Sequence, residues 1–192
     1  YYGYVSAKES LAKSLNACAV KILNYTGVKN AEAYLKKTAI PITDQDDSLC
    51  VALGCTQNGA TLCELSSAYG VFISGGLYKH FTAIKRIETE SGAVIYNNRK
   101  TKEKVYERGT CDLINDALSE CVKSGTAKKL SFLDFPVYSK TGTVGTEKGN
   151  TDAYNISYSE NKVLGVWFGN SDNSLMNNLV TGGAAPSTVA YT

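Results

Sequence analysis

Apolar residues recur along this chain at two spacings, and the change between them divides it. Up to Pro136 the dominant period is helical. Ala17, Cys18, Val20, Ile22 and Leu23 predict a buried helix that stops at Gly27, with a shorter helical stretch over 9–15 before it and another run over 31–37 after it. Thr61-Leu62-Cys63-Glu64 has the form of a capping box, in which the Thr hydroxyl and the Glu carboxylate serve the first helix donors. The helix it opens should run through Ala68-Tyr69 and end by Gly75-Gly76. Leu113, Ile114, Ala117, Leu118 and Cys121 predict another helix, capped by Thr110 and closed by Gly125. Two β-rich runs, 81–88 and 93–96, flank Ser91-Gly92 and predict a hairpin. After Pro136 three strand-like runs follow, 137–143, 153–158 and 162–168, the last two joined at Ser159-Glu160-Asn161. Helices first and an antiparallel meander afterwards make an α+β fold, a helical cluster packed on an antiparallel sheet. The opening 1–6 is aromatic without period. The tail from Ser171 is polar, and Gly182-Gly183-Ala184-Ala185-Pro186 reads as a loop.

Composition narrows the classes open to the chain. Its 192 residues suit one domain. With 43% hydrophobic and 20% charged residues, wholesale disorder is excluded. Twenty basic residues against 18 acidic give +2, with no long basic run, so no nucleic-acid partner is expected. No apolar stretch approaches the roughly 20 residues needed to cross a bilayer. Met176 is the one methionine. Tyr1 is therefore not an initiator, and the expectation is a piece of a longer chain.

The six cysteines and the single histidine exclude more chemistry than they suggest. Cys18, Cys63 and Cys121 fall among Ala, Leu and Val in helical runs, where a free thiol packs as a small hydrophobe. Cys50 and Cys55 flank a short loop and are the pair best placed to bond. There is no C-x-x-C and no second imidazole, so no metal and no cofactor is expected. His80 beside Phe81 reads as a strand residue. Any nucleophilic chemistry must then use a base other than His.

Two tripeptides carry candidate chemistry, Ser14-Leu15-Asn16 at a helix junction and Lys140-Thr141-Gly142 on the first strand of the meander, followed by Thr143. Each alone is common; Ser and Asn cap helices, and a strand lysine is ordinarily solvated. In this order they resemble the second and third signatures of the penicillin-binding transpeptidases, S-x-N and K-T-G. The likeness extends through Glu9 to Lys21, Val51-Ala52-Leu53-Gly54, Gly59 to Leu65, Ser74-Gly75-Gly76, Ile95-Tyr96, Ser124-Gly125-Thr126, Asp152-Ala153-Tyr154 and Val166-Trp167-Phe168-Gly169. The chain is thus identified as similar to the C-terminal part of the transpeptidase domain of a class A, bifunctional penicillin-binding protein. The fold implied is that of the penicillin-binding proteins and serine β-lactamases, in truncated form, over 1–192.

That resemblance implies a D,D-transpeptidase that cross-links peptidoglycan stem peptides ending in D-Ala-D-Ala through a serine acyl-enzyme, and that β-lactams inhibit by mimicking that terminus. Ser14 and Lys140 would be catalytic, Ser14 relaying a proton and Lys140 supplying positive charge beside it. Asn16 would hydrogen-bond the substrate amide, and the Thr141 and Thr143 hydroxyls its carboxylate. Gly142 would let the peptide lie close along the strand, and the Thr143 N–H would serve the oxyanion. The parent would be bacterial, membrane-anchored and extracytoplasmic.

The family's first signature, S-x-x-K, carries the nucleophile and lies well upstream of S-x-N, whereas this chain begins shortly before Ser14. Its own S-x-x-K strings are Ser10-Leu11-Ala12-Lys13 and Ser159-Glu160-Asn161-Lys162. Ser10 would precede Ser14 by about 6 Å along one helix, leaving no cleft between them. The second string falls in a turn. The expectation is a partial domain lacking the N-terminal nucleophile segment and the C-terminal helix, inactive alone and prone to self-association through uncovered strand edges near Trp167 and Phe168. A serine β-lactamase would also need a group that activates water, and no acidic residue falls in a matching segment. A D,D-carboxypeptidase, a non-catalytic β-lactam-binding module and a structural α+β domain remain the alternatives.

Overall fold

A computed structural model describes residues 3–99, 101–176 and 180–189. Tyr1, Tyr2 and parts of the polar tail lie outside the described residues. Helices α1 (Ala7–Ala12), α2 (Asn16–Thr26) and α3 (Val28–Lys37) come first. Two 3-10 turns, Asp44–Asp46 and Leu49–Leu53, lead to α4 (Leu62–Ile73). Strands β1 (Leu77–Lys79), β2 (Arg86–Glu88), β3 (Val94–Asn97) and β4 (Lys102–Lys104) follow, then α5 (Arg108–Lys123). The chain ends in the meander β5 (Tyr138–Thr146), β6 (Gly149–Ser159) and β7 (Lys162–Gly169), with a short α6 (Ala185–Val189) after it.

The meander is antiparallel in the order β5-β6-β7, with Lys140 opposite Ile156 and Tyr154 opposite Trp167. Alternation sends successive side chains to opposite faces. One face meets α4 and α5: Val163 and Gly165 lie against α4. The other carries Ser139, Asn155 and Ser157, all buried, and meets Ser187 of α6. The main core sits between the helices and the sheet. Ala12, Leu118, Cys121, Val122, Ala127, Leu130 and Tyr158 are buried together there. Tyr158 stacks on Tyr138 at 5.2 Å between ring centroids and donates its hydroxyl to Asn115 Oδ1 at 2.6 Å. A buried phenol needs such a partner.

Local physics confirms several elements and corrects others. The Thr61–Glu64 capping box forms, with Thr61 N–H donating to Glu64 Oε2 at 2.8 Å and Glu64 N–H to Thr61 Oγ1 at 3.2 Å. The hairpin at Ser91-Gly92 forms, but 81–85 stays outside its strands. Helix α5 begins at Arg108, not at Thr110, and Glu107 at its N-cap makes no side-chain capping bond. Helix α2 is less buried than its composition suggests. Only Leu23 is fully enclosed, while Ile22 and Tyr25 are exposed. Cys63 is exposed on α4 rather than packed, and Cys50 and Cys55 are free and exposed, not bonded. Strands β1 and β4 pair with each other, a pairing the charged run Lys-Glu-Lys did not announce. The tail, read as a loop, turns at 182–184 and closes with α6 packed on β6 and β7.

Candidate active site

The site begins at the end of α1. Ser14 N–H donates to Leu11 O at 3.1 Å and Leu15 N–H to Ser10 O at 2.9 Å. These two bonds are the Schellman closure of a helix C-terminus. The residue at its left-handed position is usually glycine; here it is Ser14, at φ 55. A non-glycine residue held there costs about 1 kcal/mol or more. With Ser14 in this conformation α1 ends at Ala12, and α2 starts at Asn16. The free carbonyl of Ala12 takes the Thr126 N–H at 3.1 Å. A methyl on Gly125 would meet Cys121 Cα at 2.8 Å and Ala12 C at 2.9 Å, so this crossing of α1 and the end of α5 needs a residue without Cβ. Lys8 adds an exposed pair to Asp116 at 2.9 Å between the same helices.

Strand β5 brings the second half. Lys140 Nζ donates to Ser14 Oγ at 2.9 Å and to Thr141 O at 2.9 Å. The Thr141 hydroxyl donates to Thr126 Oγ1 at 2.6 Å. Thr126 thus ties the end of α1 to β5, and so joins the two halves. Burial pulls the Lys140 ammonium below the ordinary lysine pKa; the Cys121 thiol nearby acts in the opposite sense. A lysine eased toward its neutral form beside a hydroxyl is equipped to exchange a proton with it. The Cys121 thiol is itself pushed up, chiefly by burial.

Of the residues singled out from sequence, Ser14, Lys140 and Thr141 are drawn into one hydrogen-bonded cluster. Asn16 is exposed on the first turn of α2. Gly142 faces the Tyr154 ring, with Cβ to Cβ at 3.4 Å for a methyl placed there. Thr143 is exposed, and its hydroxyl accepts the Gly182 N–H at 3.0 Å. The two S-x-x-K strings are built otherwise. The Ser10 hydroxyl is buried in α1 and donates to Ala7 O at 2.8 Å, and Lys13 pairs with Glu9 at 2.7 Å. Ser14 is not on α1, so the objection to Ser10 rests on its enclosure rather than on a shared helix. The Ser159 hydroxyl donates to Pro136 O. His80 sits outside the cluster, edge-on to Tyr78. Sequence reasoning missed Thr126 as the tie between halves and Gly182 as a partner of Thr143. The Ser124-Gly125-Thr126 run was visible, but its role depends on contacts with distant segments.

Two open grooves lie elsewhere. One, of about 600 Å³, runs between α5 and the segment before β5, lined by Asp112, Asn115, Leu133 and Phe135 among others. The other, of about 600 Å³, runs between α4 and β7, past Leu62, Gly70, Val163 and Gly165.

Comparisons with known proteins give the family and the fold. The family profile for the penicillin binding protein transpeptidase domain matches residues 1–171. The chain belongs to that family. Penicillin-binding protein 1A of Clostridium botulinum (strain Langeland / NCTC 10281 / Type F) is 30% identical over 193 residues, which cover 96% of this chain and 22% of the relative. The chain therefore spans about a fifth of the length of such relatives. The crystal structure of penicillin-binding protein 1A from Haemophilus influenzae superposes with a TM-score of 0.81 at 19% identity, over 96% of this chain and 33% of that one. PonA1 from Mycobacterium tuberculosis in complex with penicillin V superposes with a TM-score of 0.80 at 19% identity, over 96% and 54%. The α+β expectation and the penicillin-binding transpeptidase fold both hold.

Proposed function

We propose that this chain supplies two of the three walls of a D,D-transpeptidase cleft. The observation that carries the reading is the 2.9 Å hydrogen bond from Lys140 Nζ to Ser14 Oγ, between residues 126 positions apart in the sequence. The reaction is acyl transfer. A serine of an S-x-x-K segment attacks the carbonyl between the terminal D-Ala residues of a stem peptide, and the leaving amine departs with a proton. Ser14 passes that proton across the cleft, and Lys140 supplies or accepts it through the Ser14 hydroxyl. Asn16 binds the peptide amide. Thr141 and Thr143 bind the terminal carboxylate, and the Thr143 N–H is a donor to the developing oxyanion. Gly142 lets the ligand approach the strand. A β-lactam, with a strained amide and a carboxylate, fills the same places. The parent enzyme works on the outer face of a bacterial membrane to which it is anchored. Among the described residues no helix is long and apolar enough to cross a membrane.

Alone, the 192 residues form no acyl-enzyme. Support comes from the hydroxyls of Ser10 and Ser159, each engaged by a backbone carbonyl away from Lys140. Fluorescent penicillin followed by denaturing electrophoresis tests this. The isolated chain is expected to stay unlabelled, while the same chain joined to its S-x-x-K segment labels and loses labelling on Ser14→Ala. Stoichiometric labelling of the isolated chain overturns the partial-site reading. The isolated chain also self-associates through β7, whose outer edge pairs with no described strand and whose Leu164, Trp167 and Phe168 are exposed. Light scattering at high concentration is expected to give a mass above that of one chain; a clean monomer refutes this part.

A further inference from the structure

The tail after β7 reaches the carboxylate-binding side of β5 from behind. Gly182 N–H donates to Thr143 Oγ1 at 3.0 Å. A hydroxyl has one proton and two acceptor positions. With an acceptor position occupied by Gly182, the Thr143 hydroxyl keeps its proton for another partner, and no described residue accepts it. Thr143 is exposed, so that proton is available to a ligand.

Gly182 is itself held tightly. The Ser187 hydroxyl donates to Gly182 O at 2.8 Å. Asn155 Nδ2 donates to Ser187 Oγ at 2.9 Å and to Ser139 Oγ at 3.1 Å, and Ser157 Oγ lies 2.9 Å from Ser139 Oγ. Ser139, Asn155 and Ser187 have no exposed surface, and Ser157 has 6%. Buried polar groups joined this way specify one arrangement, because breaking any bond strands a partner without water. The bonds run in one sense, from the Asn155 amide to the Ser187 hydroxyl to the Gly182 carbonyl. The fit leaves no room for a larger residue. A methyl on Gly182 would meet Gly142 O at 2.5 Å, Gly142 N at 2.9 Å and also Tyr154 O. One on Gly183 would meet Thr126 O at 2.5 Å, behind the hydroxyl that receives Thr141.

We propose that Gly182, locked by Ser187 and Asn155, is a positioning residue that commits the Thr143 hydroxyl to donating toward the ligand, and so sets the preference of the site for a free carboxylate. The proposal rests on the transpeptidase reading above and adds the tail to it. It separates two demands. Lys140 supplies charge to any anion, whereas an oriented hydroxyl distinguishes a carboxylate from a neutral ester of the same shape.

The test uses the complete enzyme, this chain with its S-x-x-K segment. Acylation rates are compared for a penicillin as the free acid and as its methyl ester. Ser187→Ala is expected to lower the free-acid rate about tenfold and to leave the ester rate within about twofold, since one charge-assisted hydrogen bond is lost. Gly182→Ala, whose methyl presses on Gly142, should lower both rates and the free-acid rate further, so that the ratio shifts in the same direction. The ratio of the two rates does not depend on how much of a variant is folded, so simple destabilisation lowers both together. An unchanged ratio in both variants overturns the proposal. If the unsubstituted enzyme takes up neither ligand, the transpeptidase reading itself fails, and this proposal with it.

Discussion

The meander and the arm formed by residues 77–104 are both β-structure, yet they are held by different forces. The meander has helices on both faces, and its middle strand has five successive positions from Ala153 to Ser157 of which four are buried. Three of its polar side chains are enclosed and hydrogen-bonded, and no buried side-chain nitrogen or oxygen among the described residues lacks a partner. In the arm every residue of β2, β3 and β4 is exposed, including Ile87, Val94, Ile95 and Tyr96. Its Arg86–Glu88 ion pair is exposed too, a kind of contact that contributes little. A two-stranded ribbon without a core is marginal in water. The contrast shows where this chain invests its packing: in the layers around the meander and at the base of the arm, where Tyr78 of β1 is buried with Val71 and Val105, and not in β2, β3 and β4.

Replacing a side chain in each region gives the largest separation. Leu118→Ala, beneath the meander, should cost about 2–5 kcal/mol in denaturant unfolding, because it leaves a cavity. Ile95→Ala, with 68% of its surface exposed, should stay within about 0.5 kcal/mol. Equal losses at the two positions would erase the distinction. A smaller effect comes from a single hydroxyl. Tyr158→Phe strands Asn115 Oδ1 and should cost about 1–3 kcal/mol, with the sheet otherwise intact by circular dichroism.

Thiol chemistry sharpens the comparison without any substitution. Burial raises the Cys111 and Cys121 pKa, so at a given pH less thiolate is present and alkylation is slower. Iodoacetamide near pH 8 should modify Cys50, Cys55 and Cys63 first and should reach Cys111 and Cys121 only on unfolding. Early labelling of Cys121, read by peptide mass spectrometry, would show that the core beside Lys140 opens.

Much of the fold was legible in the order of residues. The Thr61–Glu64 box, the Ser91-Gly92 hairpin and the three runs of the meander are local signals, each complete within a few neighbouring residues, and all of them form. The errors share one cause. Cys63 and Ile22 carry apolar character but sit where nothing covers them, and β1 with β4 gains its pairing from a partner more than twenty positions away. The S-x-N and K-T-G strings were visible as well, and with them the family.

What the amino-acid order determined is therefore most of the elements and the residue types that the proposed site draws on. Their assembly was decided in three dimensions. Ser14 in a left-handed helix end, Thr126 bonded to both Ala12 and Thr141, and Gly182 behind Thr143 each unite segments far apart in the chain. No periodicity records such contacts. They exist because packing helices on both faces of a sheet brings particular backbone carbonyls, N–H groups and hydroxyls within hydrogen-bonding reach, and a buried polar group must then find its partner.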